Sequence, residues 1–376
     1  MRSLWVREAA LACGDWRDVS VLFDARSFNE RAAFASLAPA DVGPFVAHKA
    51  RVGQGHDEMQ RRCGPGFMTT GTRTSNHPDA SDTQESWPFR PSQLSRRTGV
   101  VTGGLCGIGH EVVWYLARAG WNLVLVGPDD ERVAPQVASL STQFPDQYFQ
   151  GWAADLSNME QTKQVARDIV ASNASLDALY NLESHHASER GTTAQGMERQ
   201  FAVNTIAPFI MISELQPLLA AGCTRNRCSL VVNLSSRVIR RVKGIDAASL
   251  TAPQKTRGLH RIFADTKLAM AAMSYALSSQ LLRDRILIYL IEPGRLGGAA
   301  ARIVHRAGAS GDILSPLWHH VAGRSASRMM RAIHNGLADH GIDLYLINSK
   351  RRHIPRLAAD KEFQRRLIRL LQVLVR

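Results

Sequence analysis

A glycine-rich string at residues 102–109 has the composition and spacing of a phosphate-binding turn. It reads T-G-G-L-C-G-I-G and follows the apolar run at 99–101. Glycine allows a tight turn and close backbone approach to a ligand, and a helix that starts here presents the positive end of its dipole to a phosphate. Because the string lies between a predicted strand and a predicted helix, it indicates a dinucleotide-binding site more strongly than an ordinary loop.

The elements that must position this turn alternate between strand and helix. Strands are predicted at 99–102, 122–126, just before 153, 176–181, 229–234 and 286–291, and helices at about 108–119, 159–171, 197–219 and 263–282. This alternation predicts an α/β fold, a Rossmann-type doubly wound parallel sheet with helices on both faces. Ligands of such sheets bind at the carboxyl ends of the strands.

The chain before this region has a different composition. Residues 1–50 carry mixed helical signals and are predicted to form a partly helical N-terminal extension. Residues 51–97 are rich in Gly, Pro, Ser, Thr, Asn and Asp, which predicts a disordered linker, and 98–376 form the predicted nucleotide-binding domain. The first residues form a short amphipathic stretch with two arginines, interrupted by Glu8, which fits either a transit peptide or an ordinary surface helix.

The net charge and the number and spacing of the cysteines limit which compartment and which partners the protein can have. The 376 residues include 46 Lys and Arg against 33 Asp and Glu, a net charge of +13. Such a surface could meet nucleic acid, an acidic membrane surface or an acidic protein, or could simply be solvated. No apolar run reaches the roughly 18 residues of a membrane span. Five scattered cysteines without metal spacing indicate an intracellular protein, cytoplasmic or mitochondrial.

Several motifs arrive in the order and spacing of the short-chain dehydrogenase/reductase family, and the chain from 97 to 376 resembles its retinol-dehydrogenase-like group. Beside the glycine turn they are D-L-S from Asp155, F-A-V-N from residue 201, V-V-N-L-S-S from residue 231, and Pro293-Gly294. The resemblance implies NAD or NADP as cofactor, with Asp155 toward the adenine ring. The cofactor-binding residues that it implies are Thr102, Gly103, Gly107, Ile108, Gly109, Asp155, Leu156, Asn181, Lys267, Pro293 and Gly294.

The same resemblance implies an active centre. Ser236 would polarise a substrate carbonyl, Lys267 would hold the nicotinamide ribose, and Asn204 would hold a water molecule and the helix geometry. The implied activity is NAD(P)(H)-dependent oxidation or reduction of an alcohol or carbonyl on a small apolar substrate, such as a retinoid, a steroid or another lipid. By analogy of fold, two long helices of this kind often form a homodimer.

The active centre departs from the family at the position of its general acid. The family motif Tyr-x-x-x-Lys is here Phe263-Ala-Asp-Thr-Lys267, and a phenyl ring cannot give or take a proton. Loss of a positioned general acid lowers the rate by roughly 10²–10⁴. Tyr275 lies three turns further along the helix and cannot take this place. His260, one turn upstream, could supply the proton in place of the tyrosine, as a water molecule also could. It could equally be an ordinary solvated histidine.

The cofactor site departs from the family as well. In place of the family's N-N-A-G, residues 181–184 read N-L-E-S, and Glu183 brings negative charge toward the phosphates unless it points away. The stretch after the second strand does not decide between NAD and NADP, because Asp129 fits both a ribose contact and turn chemistry. Two functions therefore stay open: an oxidoreductase, or a catalytically silent nucleotide-binding or assembly subunit, which the missing tyrosine favours.

Three further features have competing interpretations. His185-His186 and His319-His320 lack the carboxylates or cysteines that would complete a ligand set, so no metal is predicted. The C-terminal helix at 364–376 could lie on a membrane surface or pack against the domain or a second subunit. A basic cluster could face an acidic partner, RNA or solvent. Its members are Arg237, Arg240, Arg241 and Lys243.

Overall fold

The computed structural model describes residues 97–187, 189–225, 227–245, 250–251, 258–292, 315–338, 345–347 and 350–376. Within 315–338, side chains are described from 322 to 333. The predicted extension 1–50 and the linker up to residue 96 lie outside the described residues. So do Pro293 and Gly294, and the side chains of His319 and His320.

Eight strands form one sheet in the order β3-β2-β1-β4-β5-β6-β7-β8. They are β1 Thr98–Thr102, β2 Asn122–Gly127, β3 Phe149–Ala153, β4 Ala178–Asn181, β5 Ser229–Leu234, β6 Ile286–Glu292, β7 Tyr345–Ile347 and β8 Lys350–Arg351. Strands β1 to β7 pair in parallel, and β8 is antiparallel to β7. The winding reverses between β1 and β4, and such a reversal opens a crevice at the carboxyl ends of the two strands.

Helices connect these strands. They are α1 Gly107–Arg118, α2 Asp130–Gln143, α3 Met159–Ser172, α4 Arg199–Gly222, α5 Leu259–Arg283, α6 Ser315–Ala338, α7 Arg356–Ala359 and α8 Lys361–Leu374. Helix α4 contains a π-helical turn, Ala202–Ile206. A short 3₁₀ helix, Arg237–Arg241, follows β5.

Hydrophobic cores lie on both faces of the sheet, because successive strand residues point to opposite sides. Val100 of β1 belongs to a core with residues of α3, α4, α5 and α8. Its neighbour Val101 belongs to a second core with residues of α1 and α6. The predicted doubly wound parallel sheet with helices on both faces is confirmed.

Helix α5 begins at Leu259, four residues before the predicted start at 263, because the extended backbone of Gly258 forms its N-cap. The long helices α2 and α6 were not predicted. Asp129, for which turn chemistry and a ribose contact were both left open, caps α2 by accepting a hydrogen bond from the N–H of Arg132 at 3.0 Å. The earlier start of α5 places His260 in the first turn of a helix.

Helix α4 is apolar and long enough, at 24 residues, to meet a length-and-composition criterion for crossing a membrane. Among the described residues it alone meets this criterion, and 67% of its apolar window is buried within the protein. Central helices of globular domains meet the same criterion. The burial of α4 follows from its packing beneath the sheet, where Ile206 and Phe209 join the core.

The C-terminal helix α8 packs against the domain, which is one of its two predicted environments. Leu367 and Leu371 are buried in the same core as residues of α5. Asp360 caps the helix by accepting the N–H of Phe363 at 2.7 Å.

Candidate active site

The glycine turn is folded tightly against the loop that follows β4. Gly103 has φ +69°, and a Cβ there would lie 2.5 Å from the backbone nitrogen of Glu183. A Cβ on Gly109 would lie 1.9 Å from the carbonyl oxygen of Gly103. Gln136 of α2 fixes the turn from the other side, because its Nε2 donates to the Gly104 carbonyl at 3.0 Å. Both glycines are therefore required by the packing of the turn itself.

A cavity of about 650 Å³ opens beside this turn, at the carboxyl ends of the central strands. Three of the predicted cofactor residues line it: Gly103, Asp155 and Leu156. Other lining residues come from the turn, from the end of β2 and from the loop after β4; they include Leu105, Cys106, Gly127, Pro128, Arg132, Glu183 and His185. Thr102, Gly107, Ile108 and Gly109 build the strand end and the start of α1 behind this lining.

The cavity is lined by charged groups of both signs: the arginines Arg132, Arg190 and Arg199 and the carboxylates Asp155, Glu183 and Glu189. Helix α1 begins beside it at Gly107, and its first turn has no acidic residue, which favours phosphate. Asp155 is exposed to the cavity and held in orientation, because its carboxylate accepts the N–H of Ser157 at 2.8 Å and its hydroxyl at 2.9 Å. Arg132 adds a positive charge. Glu183 also lines the cavity, and its negative charge acts on the ammonium of Lys267.

The side chain of Asn181 lies inside the sheet. It is buried, and its Nδ2 donates to Oδ1 of Asn233 on β5 at 2.8 Å. Asn233 in turn donates to the hydroxyl of Ser274 on α5 at 2.8 Å. The structure therefore places the amide of Asn181 in a buried chain that connects β4, β5 and α5.

Lys267 and Ser236 both lie near the carboxyl end of β5. Lys267 is 1% exposed, and its Nζ donates to the carbonyl of Leu234 at 3.0 Å. Burial lowers the pKa of the Lys267 ammonium to about 7, and the negative charge of Glu183 raises it in part. Ser236 comes two residues after Leu234, is half-buried, and starts the 3₁₀ helix without a side-chain capping bond.

The ring of Phe263 lies near both a lysine and a histidine. The Nζ of Lys267 is 5.9 Å from its centroid, and the ring of His186 meets it edge-on, with centroids 4.7 Å apart. His186 also stacks on His260, with centroids 4.5 Å apart and a distance of 2.8 Å between His186 Nε2 and His260 Nδ1. Sequence reasoning named His260 here but considered His186 only as a metal ligand.

Asn204 connects the loop after β4 to helix α5. It is fully buried in the π-helical turn of α4. Its Oδ1 accepts the N–H of His185 at 2.9 Å, and its Nδ2 donates to the His185 carbonyl at 2.8 Å and to the Thr266 hydroxyl at 3.2 Å. The predicted contribution of Asn204 to helix geometry takes the form of these bonds.

Half of the basic cluster after β5 is bound to a buried carboxylate. Glu292, at the end of β6, is 1% exposed and lies 2.9 Å from Arg240 Nη2 and 3.4 Å from Arg237 Nε. The hydroxyl of Tyr345 donates to the same carboxylate at 3.0 Å. The hydrogen bond to Glu292 raises the pKa of Arg240, and burial raises that of Tyr345. These two arginines therefore join β5, β6 and β7 in addition to facing solvent.

The candidate metal residues do not form a ligand set within the described part of the chain. No group of three or more His, Cys, Asp or Glu side chains there has metal-binding geometry. His185 is buried at the cavity, and its neighbour His186 points to His260.

Comparison with known proteins gives relatives consistent with this site. Polyprenol dehydrogenase of Mus musculus is 30% identical over 199 residues, which cover 52% of this chain and 58% of the relative. Retinol dehydrogenase 13 of Mus musculus is 26% identical over 225 residues, covering 59% and 66%. The chain thus spans less than two thirds of these relatives, whose names agree with the predicted retinol-dehydrogenase-like resemblance.

A solved structure and a family model complete the comparison. An uncharacterized protein from Mycobacterium Paratuberculosis has the same fold, with a TM-score of 0.55 and 17% identity over 76% of this chain and 97% of that one. The model of the short chain dehydrogenase family matches residues 97–305, which is more than half of the chain. The chain therefore belongs to the short chain dehydrogenase family.

Proposed function

We propose that this protein is a nicotinamide-dependent oxidoreductase that interconverts an alcohol and a carbonyl on an apolar substrate. The observation that carries the proposal is the shared cavity at the carboxyl ends of the central strands, lined by Gly103 and Asp155. Lys267 and Ser236 lie at the end of the neighbouring strand β5. A dinucleotide site next to a serine and a lysine supplies the cofactor-binding and substrate-orienting groups of this chemistry.

Each group has a distinct task in this proposal. A bound nicotinamide supplies or accepts hydride. The N-terminus of α1 would hold the pyrophosphate, and Lys267 would hold the ribose next to the nicotinamide. Ser236 would hold the substrate oxygen in the orientation that the reaction needs.

NADP(H) is the proposed form of the cofactor. Arg132 lines the cavity beside Pro128, directly after β2, where an arginine accommodates the 2′-phosphate. Asp129, the acidic alternative for a ribose contact, is engaged as the cap of α2 and lies 3.3 Å from Arg132 Nε. An apolar alcohol or carbonyl is supported by the names of the relatives, since polyprenol and retinol are both long apolar alcohols.

A second candidate is a catalytically silent subunit that keeps the nucleotide site. Two observations favour it: the phenyl ring of Phe263 at the position of the family's tyrosine, and the Glu183 carboxylate in the cofactor cavity. Such a subunit would bind a nucleotide or assemble with a partner without turnover.

Nucleotide titration followed by a turnover assay separates the two functions. The purified chain is titrated with NADPH and NADH separately, by nucleotide fluorescence, and then assayed for reduction of all-trans-retinal and decanal. We expect NADPH binding, together with turnover that Lys267→Ala abolishes. Binding without turnover, or turnover only after Phe263→Tyr, would instead support the silent subunit. No binding at millimolar nucleotide would reject both nucleotide-dependent functions.

A further inference from the structure

The position that lacks a hydroxyl group, Phe263, is flanked by two imidazoles. We propose that His186 and His260 form a proton-delivering pair that performs the task for which the family uses its tyrosine. His186 gives the proton to the substrate oxygen, and His260 connects His186 to solvent. This inference rests on the proposed oxidoreductase function and names the proton donor of that same site.

The geometry of the pair is that of a hydrogen-bonded relay. The distance of 2.8 Å between His186 Nε2 and His260 Nδ1 is that of a strong nitrogen–nitrogen hydrogen bond. His186 is half-buried against the Phe263 ring, and His260 is exposed at the start of α5. His186 therefore contacts the ring at the family's tyrosine position, and His260 is exposed to water.

Buried amides of α4 hold the backbone beside each histidine. Gln200 Oε1 accepts the N–H of Ala187, the residue after His186, at 3.3 Å. The Nε2 of the same side chain donates to the carbonyl of Leu259, the residue before His260, at 3.4 Å. Asn204 holds both backbone groups of His185 on the other side of His186. These hydrogen bonds hold the backbone on both sides of His186 and before His260.

Imidazole suits this task because its charge changes near neutral pH and both of its ring nitrogens can carry a proton. In the reductive direction the carbonyl carbon receives a hydride from the reduced nicotinamide, and the carbonyl oxygen receives one proton from His186. The pair regains that proton from water through His260. In oxidation the same proton leaves the alcohol and passes to solvent, so charge and atoms balance in both directions.

The charges around the pair are also defined. The Nζ of Lys267 lies 5.9 Å from the centroid of the Phe263 ring, and Glu183 acts electrostatically on Lys267. On α5 itself Arg261 and Asp265 form an ion pair at 3.0 Å one residue beyond His260.

Substitution of each histidine tests the pair in the full-length chain. His186→Gln is expected to lower kcat/KM for NADPH-dependent reduction of all-trans-retinal by about 100-fold or more, the effect of losing a general acid. His260→Gln is expected to lower it by about 10-fold or more, since His186 then exchanges its proton less readily. NADPH binding, followed by fluorescence, is expected to stay within about twofold of the parent in both variants. His353→Gln, an exposed histidine far along the chain, is the matched control and keeps full activity.

A rescue experiment distinguishes proton delivery from a structural role. Adding Phe263→Tyr to His186→Gln restores the family's own general acid, so activity is expected to recover by at least about 10-fold. As a readout independent of activity, the ring Cε1–H cross-peak of His260, assigned by its loss in His260→Gln, is expected to shift in His186→Gln and not in His353→Gln.

Different failures reject different statements. A parent that turns over retinal while His186→Gln does so equally well would overturn the pair and leave the oxidoreductase function standing. A His260 cross-peak that does not move in His186→Gln, or a loss that Phe263→Tyr does not rescue, would also overturn the pair. A parent that binds no nucleotide and reduces neither retinal nor decanal would overturn the proposed function and the pair together.

Discussion

Replacement of Lys267 by methionine gives a direct test of the buried lysine at the candidate site. The ammonium is 1% exposed, and burial lowers its pKa to about 7 from an ordinary value near 10.5. Between these two pH values the unfolded chain binds a proton that the folded chain does not. The free energy of unfolding of the parent therefore rises with pH in this window.

The size of the effect follows from the two pKa values. Each pH unit over which only the unfolded chain holds the proton raises the free energy of unfolding by about 1.4 kcal/mol. Because folded Lys267 is still half-protonated at pH 7, the free energy of unfolding rises by about 2 kcal/mol between pH 7 and pH 9. Lys267→Met deletes this contribution. It also removes the hydrogen bond to the Leu234 carbonyl, which both the ammonium and the neutral amine can donate.

Urea unfolding of parent and variant at pH 7 and pH 9 measures the effect. From pH 7 to pH 9 the free energy of unfolding of the parent is expected to rise by about 2 kcal/mol more than that of Lys267→Met, because the two proteins share all other titrating groups. Lys243→Met removes an exposed lysine near the same strand end and is expected to respond to pH as the parent does. Equal responses in the parent and Lys267→Met would refute the assignment of a buried ammonium that releases its proton near neutrality.

Three other substitutions test the cofactor cavity. Glu183→Gln is expected to strengthen NADPH binding by about fivefold, roughly 1 kcal/mol for removing a unit charge near a phosphate, and an unchanged affinity in a fluorescence titration would count against repulsion. Arg132→Gln is expected to weaken NADPH by about tenfold and to leave NADH unchanged; equal weakening of both would exclude a 2′-phosphate contact. Gly109→Ala is expected to lower the free energy of unfolding by about 3 kcal/mol or more, because its Cβ would meet the Gly103 carbonyl. Gly244→Ala adds a methyl group in open space, and equal melting temperatures of these two variants would contradict the packing argument.

The sheet was predictable because its strands carry a strong local signal. Central parallel strands are covered on both faces and therefore read as continuous apolar runs. Strand β5 was predicted at 229–234 and is observed at Ser229–Leu234. The glycine turn and the D-L-S motif were equally visible, and Gly103 and Asp155 do line one cavity.

Helix α2 was missed because its local signals point away from a helix. Pro128 and two aspartates resemble a turn, and Pro135 lies inside the helix, where proline removes a backbone hydrogen bond. Packing of Val133 and Leu140 against the sheet outweighs this preference. Burial in the tertiary structure thus stabilises a helix that the local sequence disfavours, and this helix places Arg132 at the cavity.

The pairing of the two histidines depends on contacts that no local pattern contains. His186 and His260 are 74 positions apart, and their separation is set by Gln200, which bonds the backbone beside both. An amide in a helix has many potential partners, so its choice follows only from the folded arrangement. Judged at its own position, Phe263 removes a general acid. In the folded structure, the same ring packs against the imidazole of His186, which can carry the proton. The protein is then an active enzyme if this imidazole reaches the substrate oxygen, and an inactive member of the family if it does not.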